Sequence, residues 1–228
     1  SLMGVEGGQQ IDESLAVLRS YARAGSRYMT LTWSTTHSWA DSATDDAQHG
    51  GLSVFGRVVV AEMNRIGMIV DLSHVAPSVM HQSLDISTLP VIFSHSCAFG
   101  LNPHPRNIPD DVLDRVPGNG GVAMMTFVPS FVSNARREWV DAGEHGTAPE
   151  VSVADVADHC DYVRERIGID HIGLGGDMCG VDELPQGLGD AGQYPNLFAE
   201  LSGRGWSASD LRKLGFANAL RGLDAPDA

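Results

Sequence analysis

Short apolar runs alternate with amphipathic stretches along the whole chain. Six runs have strand length: Leu2–Val5, Tyr28–Trp33, Met68–His74, Val91–Ser96, Gly121–Phe127 and His171–Asp177. Most are apolar on both faces, the pattern of parallel strands covered by helices. The intervening stretches carry helical periodicity. Ile11, Leu15, Leu18 and Ala22 share one face, as do Phe55, Val59, Glu62 and Ile66, and then Val153, Val156, Cys160, Val163 and Ile167. Ser152 and Asp155 form a capping-box pattern with Val151 and Val156 as its hydrophobic staple, and Trp206 to Leu211 repeats both devices.

Strict alternation of strand and helix predicts an α/β fold on a parallel sheet, open or closed into a barrel. An open nucleotide-binding sheet would carry a glycine loop between strand and helix. Gly118-Asn119-Gly120-Gly121 precedes a strand instead, and no phosphate-binding lysine loop is present. Polar residues gather at the C-terminal ends of the predicted strands: Glu6, His74, His95 and Asp177. Barrel enzymes keep their chemistry there, so the pattern favours a (β/α)8 TIM barrel. With six strands found and the chain opening already inside one, the expectation is a barrel lacking its first two β/α units. Residues 1–228 then form one domain of strands three to eight.

Composition narrows the partners. The 228 residues are 43% hydrophobic and 19% charged, which excludes a disordered or fibrous chain. Fifteen Lys and Arg against 29 Asp and Glu give a net charge of −14, which argues against nucleic acid or an anionic membrane surface. Cys97, Cys160 and Cys179 are odd in number and form no C-x-x-C pair, so a reducing, cytoplasmic setting is expected. No apolar run has the length of a membrane span, and the first residues lack the pattern of a signal peptide.

The chemistry-bearing residues follow the strand ends. His74 closes Asp71-Leu72-Ser73-His74, and His95 lies in Ser94-His95-Ser96. With Glu6 they make a His₂-carboxylate set, the donor chemistry of a catalytic zinc with an open position. Taken singly, each His also fits a pocket histidine that hydrogen-bonds locally. Asp177 follows Gly173-Leu174-Gly175-Gly176 and suits a proton shuttle or a turn. Arg106 sits on the proline-stiffened Asn102-Pro103-His104-Pro105-Arg106-Asn107 loop and suits a bidentate carboxylate or an ordinary loop ion pair. Ser94 and Ser96, adjacent to His95 on a strand, should face away from it, which excludes a serine triad. No nucleophile elbow is present.

In order along the chain stand Gly4-Val5-Glu6-Gly7-Gly8, Arg27-Tyr28-Met29-Thr30-Leu31-Thr32, Trp39-Ala40-Asp41, Gly51-Leu52-Ser53, Asp71-Leu72-Ser73-His74, Phe93-Ser94-His95-Ser96, His104-Pro105-Arg106-Asn107, Gly175-Gly176-Asp177 and Tyr194-Pro195-Asn196-Leu197, with Asn218 near the end. This series resembles the membrane (renal) dipeptidase family, peptidase family M19. The resemblance implies a metallo-dependent hydrolase barrel that cleaves dipeptides at a two-zinc centre, some members accepting a C-terminal D-residue. It implies Glu6 as the carboxylate bridging the metals, His74 and His95 on the second zinc, Arg106 on the substrate carboxylate and Asp177 as general acid/base. A homodimer is also implied.

The departures are specific. The family's first zinc is held by a His-x-Asp pair, and none stands before Glu6 here, so the residues present complete one of the two metal sites. Trp33 occupies the place of a frequent substrate-polarising His, with His37 nearby; both are expected on the substrate side. Cys179 and Gln9 replace a frequent Asp and a frequent His. The competing expectation is a catalytically silent barrel that binds a small ligand or a partner.

Overall fold

The computed structural model describes residues 2–224. All six predicted strands are present, the first shifted by one residue at equal length and the others shorter than their apolar runs: β1 (Met3–Glu6), β2 (Ser26–Thr30), β3 (Ile69–Asp71), β4 (Ile92–Phe93), β5 (Val122–Met125) and β6 (Ile172–Leu174). The chain separates into two compact units. Residues 2–93, 115–122 and 219–224 make the first, and residues 94–114 and 123–218 the second.

In the first unit β1, β2, β3 and β4 pair in parallel in chain order. Glu6 is in register with Thr30, Thr30 with Asp71, and Asp71 with Ile92. A row of polar side chains thus crosses the C-terminal ends of the strands, where Thr30 Oγ1 donates to Asp71 Oδ2 at 2.6 Å. Three helices cover the strands: Leu15–Arg23, Val54–Arg65 and Pro77–Ile86. Their inner residues Leu18, Val59, Val60, Met63, Val79 and Met80 are fully buried, as are Met29 and Met68. Glu62, expected on an otherwise apolar face, is buried with its carboxylate held by Arg19 and Arg65.

The shortened strands have local causes. Gly7 adopts φ 99°, and although the Gly7 and Gly8 N–H groups still reach the Thr30 and Leu31 carbonyls, the regular pairing of β1 with β2 ends at Glu6 and Thr30. Trp33 therefore lies in a loop rather than in the predicted strand. Beyond β3, Asp71 Oδ1 accepts the Ser73 N–H at 3.1 Å, an Asx turn that takes Ser73 and His74 out of the sheet after Leu72 has made its last bond to the Ile92 carbonyl.

In the second unit β5 and β6 are parallel, with Ala123 opposite Ile172 and Met125 opposite Leu174. Ser96 N–H donates to the Met124 carbonyl at 3.1 Å and Gly175 N–H to the Met125 carbonyl at 2.9 Å. A Cβ on Gly175 would collide with the Ser94 carbonyl oxygen, so only glycine permits this approach. The helix Val153–Ile167 begins at the predicted capping box, Asp155 Oδ2 accepting the Ser152 N–H at 2.7 Å. Its residues Val156, Cys160, Val163 and Ile167 are buried as predicted. The second capping box, Ser207 with Asp210, starts the helix Ala208–Arg212. Asn218 closes this unit by donating to the carbonyls of Ile169 and Ile172. No helix among the described residues is long and apolar enough to cross a membrane.

Candidate metal centre

Glu6 is the last residue of β1, and its side chain is half exposed. His74 follows β3 by three residues in a left-handed conformation, φ 70°, and is 7% exposed. Its Nε2 lies 3.2 Å from Glu6 Oε1. His95 follows β4 by two residues. Glu6, His74 and His95 each offer one ligand atom, and these atoms all lie within 4.8 Å of one another. Four-coordinate zinc with bonds of about 2.0–2.1 Å separates its ligand atoms by roughly 3.3 Å. The 3.2 Å spacing of His74 and Glu6 matches that requirement. Two imidazoles and a carboxylate are also the borderline donor set zinc prefers, so the residues present fit the ion.

His95 carries a feature that strand alternation did not anticipate. Ser94 Oγ lies 2.7 Å from His95 Nδ1. The expectation that the two face apart fails because β4 has already ended at Phe93, and the period of two applies only within a strand. A partner on Nδ1 fixes the ring's orientation, the usual arrangement behind a metal-binding histidine.

Trp33 and His37 belong to the long loop between β2 and the helix Val54–Arg65. Trp33 is 51% exposed, and its ring centroid is 6.4 Å from that of His74. His37 uses Nε2 to donate to the Leu31 carbonyl at 2.9 Å, while Nδ1 accepts from Trp39 N–H at 3.5 Å. Burial pushes its pKa down. The His37 ring is thus tied into its own loop. The loop is pinned by buried Asp41, whose carboxylate accepts the N–H groups of Gln48, His49 and Gly51. Burial raises its pKa, but these donors outweigh burial and hold it below the ordinary value.

Arg106 and Asp177 lie in the second unit. Arg106 is 3% exposed, with its guanidinium carbon 5.3 Å from the Phe131 ring centre. The His104 ring packs on the same Phe131 at 4.3 Å, and its Nδ1 accepts the Arg106 N–H at 3.1 Å. Burial, then the charge of Arg106, pushes His104 down to about 4, so it is neutral at pH 7. Asn107 fixes the loop from the other side: Oδ1 accepts Cys97 N–H, and Nδ2 donates to the carbonyls of Asn102 and Phe131. Asn102 in turn donates to the Ser130 carbonyl. Sequence reading found the arginine and the stiff loop. It missed Phe131, which is separated from the motif in sequence, and the two asparagines that flank it in plain view.

Asp177 follows β6 by three residues in a left-handed conformation, φ 54°. Its carboxylate fills the space a Cβ on Gly180 would need. His74 and Asp177 are thus two of the five non-glycine residues with positive φ among those described. Such conformations persist where surrounding structure enforces them, and they concentrate at functional sites.

Residues 1–226 match the membrane dipeptidase family, peptidase family M19. A dipeptidase named tcpJ from Claviceps purpurea is 46% identical over 224 residues, covering 98% of this chain and 50% of the relative. The chain spans about half the length of the curated relatives it matches. The probable dipeptidase PvdM from Pseudomonas aeruginosa superposes with a TM-score of 0.89, covering 99% of this chain and 68% of that one; at 23% identity it establishes the fold alone. A metallo peptidase from Rhodobacter sphaeroides, solved with a phosphinate mimic of the dipeptide L-Ala-D-Ala, superposes with a TM-score of 0.86 at 27% identity, covering 99% and 63%. By its strands, its His/Glu cluster and its match along nearly the whole length, the chain belongs to the membrane dipeptidase family M19.

Proposed function

We propose that these residues form the zinc-binding and substrate-binding part of a dipeptidase active site. The observation that carries the proposal is the Glu6, His74 and His95 cluster, with ligand atoms inside 4.8 Å. Zinc held there supplies Lewis-acid polarisation of a carbonyl and a hydroxide nucleophile near neutral pH. Glu6 has two carboxylate oxygens, one of them beside His74 Nε2, and would be the residue shared with a second zinc. The His-x-Asp pair for that second ion is a property we propose for the whole protein, in which the six strands are the third to eighth of one barrel domain.

Arg106 binds the terminal carboxylate of the dipeptide. Its planar guanidinium is already seated on Phe131, and the neighbouring His104 is neutral, so little ordering is left to the moment of binding. Asp177, in a left-handed backbone conformation after β6, moves a proton from the attacking water to the leaving amine nitrogen. Trp33 presents an exposed ring beside His74 and forms a wall of the substrate site, with His37 supporting its loop. A C-terminal D-residue is among the accepted substrates, a reading supported by the relative solved with the L-Ala-D-Ala mimic. The three free thiols suit a reducing, cytoplasmic setting.

The test is zinc per chain by elemental analysis on protein of recorded intact mass, beside initial rates on dipeptides ending in D- or L-residues. Bound zinc, hydrolysis lost to a chelator and hydrolysis restored by added zinc are expected. Protein that binds a dipeptide but carries no zinc and turns nothing over would replace the enzyme by a silent barrel.

A further inference from the structure

His159 lies on the inner face of the helix Val153–Ile167, among buried Val156, Cys160 and Val163, and is 1% exposed. An imidazole in an apolar layer is costly unless both ring nitrogens are satisfied. Here they are. Nδ1 accepts the Ala98 N–H at 3.2 Å, and Nε2 contacts the Val132 carbonyl at 2.9 Å. A nitrogen that accepts an N–H carries no proton, so the ring is the neutral Nε2–H tautomer and donates to Val132. Burial favours the same neutral form.

The two backbone groups it joins belong to different functional segments. Ala98 lies three residues beyond His95, and the Cys97 N–H beside it is held by Asn107, next to Arg106. Val132 follows Phe131, the ring on which the Arg106 guanidinium lies. We infer that His159 is a positioning residue for substrate binding. By clasping Ala98 to Val132 it sets the spacing between the segment that carries His95 and the platform that carries Arg106, a role that rests on Arg106 being the carboxylate clamp.

An apolar side chain of similar size would fill the volume but leave a buried N–H and a buried carbonyl without partners, and the two segments would relax apart. The platform then shifts under Arg106, so the loss falls on substrates with a free carboxylate. The experiment compares His159→Phe, His159→Gln and Arg106→Ala in the zinc-loaded enzyme. A dipeptide and its amide serve as substrates or competitive inhibitors, with zinc content and Tm recorded for each variant. For His159→Phe we expect KM for the free dipeptide to rise about tenfold, kcat to stay within threefold and affinity for the amide to change less than twofold. His159→Gln, which keeps a donor and an acceptor, should recover at least half of the loss. Equal weakening of dipeptide and amide, or a fall in kcat alone, in a folded, zinc-bearing His159→Phe overturns the inference. If Arg106→Ala itself fails to discriminate dipeptide from amide, the carboxylate clamp is the part that is wrong. Nitrogen-15 spectra of the parent's histidine rings test the clasp without a variant. With the His159 ring assigned through its contacts to Ala98 and Val132, they should show it held as the neutral Nε2–H tautomer at neutral pH, and a His159 ring in the Nδ1–H form or exchanging between tautomers overturns the inference even where His159→Phe fails to fold.

Discussion

His74 presents its Nε2 to Glu6 Oε1 at 3.2 Å from a left-handed backbone, φ 70°. The ligand pair therefore depends on a conformation that costs a residue with a Cβ roughly 1–2 kcal/mol, maintained by the Asp71 turn that precedes it. The metal-binding side chain and the strained backbone can be separated by substitution. His74→Gly and His74→Ala should both lose zinc. The glycine variant should nevertheless be the more stable of the two by about 1 kcal/mol, because glycine adopts positive φ freely. Thermal melts of the two metal-free proteins check this, and an alanine variant of equal or higher Tm would show that the backbone at 74 relaxes.

Ser94 is not itself a proposed ligand, yet its Oγ stands 2.7 Å from His95 Nδ1. Losing such an outer partner commonly costs 10- to 100-fold in metal affinity. Ser94→Ala should weaken zinc binding by about that factor while Tm in excess zinc stays near the parent's. A competition titration against a chromogenic chelator measures it. Ser94→Thr, which keeps the hydroxyl, should stay within about threefold.

Asp177 also has positive φ, 54°, a region that asparagine tolerates well. Asp177→Asn therefore removes the proton-carrying group without disturbing the backbone, whereas Asp177→Ala would do both. We expect Asp177→Asn to keep its zinc and lose about 10²- to 10⁴-fold in kcat. Single-turnover rates together with metal analysis decide the matter. A variant with full zinc and near-parent turnover removes Asp177 from the reaction.

The strand positions and the His/Glu cluster were legible because they rest on periodicity and on polar residues at strand ends. Apolar runs placed all six strands, and Glu6, His74 and His95 stood out as polar punctuation after them. Strand ends were less legible. The positive φ of Gly7 and the Asp71 turn end the regular ladders although Leu31 and Leu72 keep backbone hydrogen bonds, a break that their apolar pattern does not report. The tertiary surroundings of the Arg106 loop were not legible, because Phe131 meets Arg106, and His159 meets Ala98 and Val132, only through contacts between segments distant in sequence. His159 reads in sequence as one polar interruption of an apolar helix face.

Glu62 illustrates how such an interruption can stabilise the fold rather than serve the site. Its side chain is 9% exposed and accepts from Arg65 and Arg19, which together hold its carboxyl down to about 2, against an ordinary value of 4.5. The unfolded chain binds a proton more readily than the folded one between those values. The contribution is therefore complete above about pH 5 and is lost as pH falls through 4.5 toward 2. Arg19 and Arg65 are 42% and 62% exposed, so solvent screening reduces the full linkage value to on the order of 1–2 kcal/mol. Glu62→Gln should lower stability by about that amount at pH 7, and parent and variant should converge as pH approaches 2. Urea unfolding across this range provides the check. A difference that persists unchanged at pH 2 would mean that packing against Glu62, and not its charge, holds the helices Leu15–Arg23 and Val54–Arg65 together.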